Sequence, residues 1–87
     1  MAGLVVYAHY ADGECFYIGS GTWGRAYLFR ARSEAWNDIA GGKDVRVVIL
    51  AQGMMKRESL AVEDAFIERY DPPANMRRAK RARRIVG

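Results

Sequence analysis

A single cysteine, Cys15, leaves this 87-residue chain without an internal disulfide and without the thiolates of a structural metal cage. It lies in a strand-like run, where a small buried thiol is the ordinary role. No apolar run approaches the length of a bilayer span. The opening residues, MAGLVVYAHYADG, lack the basic start and long apolar stretch of a signal peptide. No zinc-ligand spacing and no obvious helix-turn-helix pattern is present either. These absences lead to the expectation of a soluble, cytoplasmic protein of a reducing compartment with no membrane partner.

What is present fits one small globular domain, 51% hydrophobic and 28% charged, with a modest core. Charge is unevenly spread. Arg77, Arg78, Lys80, Arg81, Arg83 and Arg84 give the final segment, 76–87, six positive charges and no acid. The preceding 75 residues hold eight basic and ten acidic side chains, a net charge of −2. A domain over 1–75 followed by a basic tail over 76–87 is therefore expected. Such a tail reads as a phosphate-contacting arm, with a purely solubilising role as the bland alternative.

Residues 4–10 (LVVYAHY) and 15–19 (CFYIG) are β-branched and aromatic and read as strands joined by a turn at Asp12-Gly13. Two registers are open. A two-residue loop places Tyr10 opposite Cys15 and Tyr7 opposite Ile18. A three-residue loop, with Gly13 left-handed at a bulge, places Tyr7 opposite Tyr17 and both phenols on one face. A helix is expected over 23–32, capped by Thr22 or Ser20, and a short one over 33–40 with Ser33 as cap and Gly41-Gly42 as terminator. Residues 45–50 (VRVVIL) form a third, well-buried strand. Helix 56–70 must stop before Pro72-Pro73. The order β-β-α-α-β-α describes an α+β domain, one small sheet covered by helices.

Helix 56–70 carries one anomaly. With Leu60 as origin and about 100° per residue, Ile67, Glu63, Tyr70 and Phe66 fall at about −20°, −60°, −80° and −120°. Asp64 and Glu68 fall on the outer face. A carboxylate inside an apolar stripe is costly unless a cation meets it, which marks Glu63 as a site residue. A partly buried Glu paired with an arginine is the structural alternative.

Val5-Val6-Tyr7, then Tyr17-Ile18-Gly19, Arg25, and Glu63 with Ile67, Tyr70, Pro72 and Asn75 resemble, in this order, the GIY-YIG nuclease family. The resemblance runs from about residue 4 to residue 75 and implies a three-stranded antiparallel sheet flanked by helices. It also implies a metal-dependent endonuclease, a hydrolase of DNA phosphodiester bonds. Tyr7 and Tyr17 would activate or orient water, and Arg25 would meet the phosphoryl charge. Glu63 would hold one Mg²⁺ or Mn²⁺, and Asn75 would support the site. That arrangement needs both phenols on one face and so favours the three-residue loop. Arg25 follows Tyr17 more closely than in many members, which leaves Arg30, with Arg32 behind it, as a second assignment.

Two departures stand out. The first motif is Val-Val-Tyr, and Phe29 stands where several members carry a His or Tyr. Phenylalanine cannot relay a proton, so His9, on the same sheet face as Tyr7, is the candidate auxiliary. Trp23 and Trp36 either stack on unpaired bases or close the helix–sheet core, the plainer role. Lys56, Arg57 and Arg69 read as solvated helix charges. Specificity is expected from a protein partner, a homo-oligomer or substrate shape. Two other classes fit the same residues: a non-catalytic nucleic-acid-binding module, and a protein-interaction module with a basic tail.

Overall fold

The computed structural model describes residues 3–75; the arginines and lysine of 77–84 lie outside the described residues. Strand β1 (Leu4–Ala11) and strand β2 (Glu14–Gly21) form a hairpin, followed by α1 (Trp23–Ala26) and α2 (Glu34–Ala40). Strand β3 (Arg46–Met54), helix α3 (Lys56–Tyr70) and a 3₁₀ turn over Pro73–Asn75 complete the order. The sheet is antiparallel, in the order β2-β1-β3. The α+β class and the β-β-α-α-β-α order are as the sequence indicated. Among the described residues no helix is long and apolar enough to cross a membrane.

The hairpin departs from the expected register in an instructive way. Asp12 and Gly13 both take positive φ, 54° and 78°, which makes the turn a two-residue one of the type that matches strand twist. Ala11 therefore faces Glu14 and Tyr10 faces Cys15. The extra residue sits further along. Pairing jumps from Tyr10↔Cys15 to His9↔Tyr17, so Phe16 is bulged out of the ladder. From there Tyr7 faces Gly19, and Tyr17 moves onto the face of Tyr7. The shared face is real, but a bulge at Phe16 produces it, not a three-residue loop. Packing explains the position: Phe16 is buried with Ala11, Trp36 and Ala40.

Three other expectations change. The helix expected over 23–32 stops at Ala26, because Ala31 turns to φ 56° and Arg32 folds back onto the chain. Its guanidinium takes the carbonyls of Leu28 and Arg25, which a continuing helix would need for itself. The apolar run in β3 is an edge strand, not a well-buried one, and Val48 is 41% exposed. Strand β1 takes the centre instead, with Val5 to His9 buried without a break. On α3, Leu60 is 40% exposed, and the inward line is Ser59, Glu63 and Ile67.

The remaining ends follow their local chemistry. Ser33 accepts the Trp36 N–H to start α2, and Glu58 accepts the Met55 N–H to start α3. Helix α3 ends where Asp71 turns left-handed ahead of the two prolines. Ile67 of α3 packs with Val6, Ala8 and Ile18 on one side of the sheet. Val5, Tyr7 and Ala26 form the core of the other side.

Candidate active site

Tyr7 and Tyr17 stand on neighbouring strands with ring centroids 6.3 Å apart and ring planes 43° apart. Gly19 is the floor between them. A Cβ there would lie 2.6 Å from Tyr7 Oη and 3.0 Å from Tyr17 Cε2, so the close phenol pair requires glycine. Tyr7 is only 1% exposed. Tyr17 is half-buried and lines a cleft of about 260 Å³ together with Arg25, Arg32, Ser33, Trp36 and Asn75.

Arg32 is the residue that sequence reasoning ranked too low. Its carbon Cζ lies 5.3 Å from the Tyr17 ring centre and 5.8 Å from that of Tyr7. Nη1 donates to Tyr7 Oη at 3.4 Å, while Nε and Nη2 donate to the carbonyls of Leu28 and Arg25, each at 2.7 Å. The spacing after Tyr17-Ile18-Gly19 offers no signal for this, because it depends on the non-helical turn at Ala31. Arg25, exposed on α1, reaches the same cleft. Arg30 is exposed and does not line it.

Asn75 is buried and clips the outer edge of β2. Its Oδ1 accepts the Ile18 N–H at 2.8 Å, and its Nδ2 donates to the Ile18 carbonyl at 2.9 Å. This two-point bond satisfies an edge-strand residue and fixes the Tyr17-Ile18-Gly19 segment. Asn75 acts on the site by positioning it.

Glu63 is 7% exposed at the middle of α3. Its charge reaches Tyr17. Burial pushes the Tyr17 phenol above its usual value, and Tyr7 and Glu63 add to that, while Arg32 and Arg25 oppose it. Among the described residues no group of three or more His, Cys, Asp or Glu side chains comes together. A single carboxylate is a donor set for a hard divalent ion that keeps most of its shell as water and phosphate oxygen. It does not suit a zinc cage.

His9 does not take the auxiliary role. It is fully buried, and both ring nitrogens are occupied: Nδ1 accepts the Trp36 indole N–H at 2.9 Å, and Nε2 lies 2.7 Å from the Ala26 carbonyl. With Nδ1 accepting, the proton of the neutral ring is on Nε2, donated to Ala26. Burial chiefly lowers its pKa to about 4, with the Arg32 charge helping and the Ala26 bond opposing. Phe29 stacks on Trp36 at 5.8 Å and meets His9 edge-on at 5.4 Å. Phe29, His9 and Trp36 thus form an aromatic wall that anchors α1 and α2 to the sheet, with Trp36 in the core. Trp23 packs beside Val5 and Tyr7, and its indole N–H is buried without a partner among the described residues. Burial raises the Cys15 thiol above its usual range, the behaviour of an inert cysteine.

Comparison of the chain with protein-family models, with curated proteins and with solved structures gave no match.

Proposed function

We propose that this protein is a metal-dependent endonuclease of the GIY-YIG type that hydrolyses DNA phosphodiester bonds. One observation carries the reading: two phenols from adjacent strands share a face beneath one guanidinium, with a buried carboxylate close enough to act on Tyr17. Two aromatic residues packed for the core alone would need neither the Gly19 floor nor the cation.

Tyr17 is the phenol that meets substrate, since it lines the cleft and Tyr7 stands behind it. The guanidiniums of Arg32 and Arg25 are what favour its phenolate, against burial, Tyr7 and Glu63. They limit a rise that still leaves the phenol above its usual value, so Tyr17 acts as a neutral phenol that orients the attacking water through its hydroxyl. The same two cations, planar and permanently charged, suit the equatorial charge of the phosphoryl transition state. Glu63 would hold a divalent ion, Mg²⁺ or Mn²⁺, and that ion would supply Lewis-acid polarisation of a phosphoryl oxygen. Asn75 keeps β2 in place while this happens. The basic tail adds sequence-independent affinity for the backbone. Specificity then comes from substrate shape, a homo-oligomer or a protein partner, in a soluble cytoplasmic setting.

The burial of Tyr7 under Arg32 favours a second reading, a binding module that holds nucleic acid without cutting it. Nicking of supercoiled plasmid in magnesium, absent with chelator and absent in Tyr17→Phe, is the result expected of an endonuclease. Retention of DNA without any nicking would establish the binding module instead.

A further inference from the structure

The stretch between Glu14 and Glu34 holds three arginines, Arg25, Arg30 and Arg32, and no acid. Two aromatic side chains within it stay partly in solvent: Tyr27 is 56% exposed and Phe29 39%. A single exposed apolar residue is ordinary, and Tyr27 needs no other account. Phe29 differs because its ring is held. It stacks on Trp36 at 5.8 Å with the planes 29° apart, and it meets His9 at 5.4 Å. Trp36 and His9 are themselves 5.7 Å apart and joined through the indole N–H. Both therefore sit against the same flank of Phe29, and the rest of its ring is left to solvent.

The backbone beneath Phe29 is fixed as well. Arg32 donates to the carbonyls of Arg25 and Leu28, each at 2.7 Å, which pins the turn on which Phe29 stands. A ring anchored in this way loses little freedom when a flat partner arrives. Trp36 is at once the ring behind Phe29 and a wall of the cleft that holds Tyr17, Arg25 and Arg32. Phe29 thus lies one ring beyond the cleft and outside its wall. Trp36 itself, 4% exposed, is committed to the core, so the open aromatic surface at this end of the cleft is that of Phe29. An aromatic face set among arginines, with no acid nearby in sequence, has the chemistry that takes the bases of single-stranded nucleic acid.

We propose that Phe29 is a stacking platform for one unpaired nucleobase of the strand whose phosphate enters the cleft. The proposal rests on the endonuclease reading and names its substrate class: DNA with an unpaired nucleotide beside the bond to be cut, as in single strands, flaps and branch points. A base inside a continuous duplex is already stacked on both faces and must be extruded before it can reach Phe29.

A thymidine oligonucleotide and a strand of equal length with abasic positions at its centre test this directly. Both carry the same phosphates, so the cleft cations and the basic tail contribute equally to each. Affinities are measured in calcium, which supplies divalent charge with looser geometry than magnesium. Wild type is expected to bind the base-bearing strand about tenfold tighter, the scale of one stacked base. In Phe29→Leu that advantage should shrink to about twofold or less, whereas Tyr27→Leu should keep it. Equal affinity for the two strands in wild type would overturn the platform, and so would an undiminished advantage in Phe29→Leu. If Phe29→Leu does not fold, Phe29→Trp decides: its larger ring should widen the advantage by about twofold or more, and an unchanged advantage refutes the proposal. The same strands in magnesium separate the two readings. No cleavage with the base advantage intact removes the endonuclease and keeps the platform. Cleavage without any base advantage does the reverse.

Discussion

The hydroxyl of Tyr7 lies across Gly19, so that a Cβ on Gly19 would sit 2.6 Å from Tyr7 Oη and 2.7 Å from Cζ. No real Cβ is tolerated at that distance, and Tyr7, buried under Arg32, has little room to retreat. Gly19→Ala should therefore cost about 1–3 kcal/mol of stability through overpacking. It should also separate the two phenols and reduce cleavage. Urea unfolding together with a plasmid-nicking assay checks both. An alanine variant of full stability would mean that Tyr7 moves freely.

His9 gives a pH signature. Its pKa falls from 6.5 to about 4 on folding, so between those values the unfolded chain binds a proton that the native one refuses. Stability is full above about pH 6.5 and is lost progressively as pH falls to about 4, by an amount on the order of 3 kcal/mol. Because the chain has a single histidine, its ring protons can be followed in NMR without assignment ambiguity. The native ring should show no titration near 6.5. A midpoint there would mean that the Trp36 and Ala26 bonds are not kept in solution.

Asn75→Ala leaves the Ile18 N–H and carbonyl without their partner. Each unpaired buried backbone group costs about 1–3 kcal/mol, so a loss of about 2–6 kcal/mol is expected for the two. The carboxamide acts only through β2, so nicking by the folded fraction should fall together with the ordering of Tyr17. Thermal unfolding and activity measured well below the midpoint distinguish the two losses.

The tail is expected to contribute affinity and no chemistry. Six neutralised phosphates would give a log affinity against log salt slope of about −5, and with some charges facing solvent a contribution of about −2 to −4 is expected. Deleting residues 77–87 should flatten the salt dependence by that amount and spare cleavage at saturating protein. An unchanged slope would make the tail a solubility device.

Local chemistry made much of the fold legible. Lys56–Tyr70 is bounded by the Glu58 bond at its start and by Pro72-Pro73 at its end, and Ser33 caps α2 as its side chain suggests. What was not legible depends on partners distant in sequence. Phe16 bulges because Trp36 and Ala40 receive it. Helix α1 is short because Arg32 takes its carbonyls. His9 is held by groups 17 and 27 residues away, which turns a candidate proton relay into a core residue. Tyr7, Tyr17 and Glu63 stand out by pattern, whereas Arg32 came only behind Arg25 and Arg30, since only the fold brings it over the phenols.

The central claim, that Glu63 holds the metal for phosphodiester cleavage, is most directly tested by Glu63→Gln in one experiment that reads binding and cutting together. Glutamine keeps the shape and removes the charge that a divalent ion requires. Plasmid nicking in magnesium should fall by at least about a hundredfold, the scale of losing Lewis-acid stabilisation. Affinity for the same DNA should stay within a few-fold, because most phosphate contacts lie elsewhere. A variant that binds and nicks like the wild-type protein in magnesium would contradict the account.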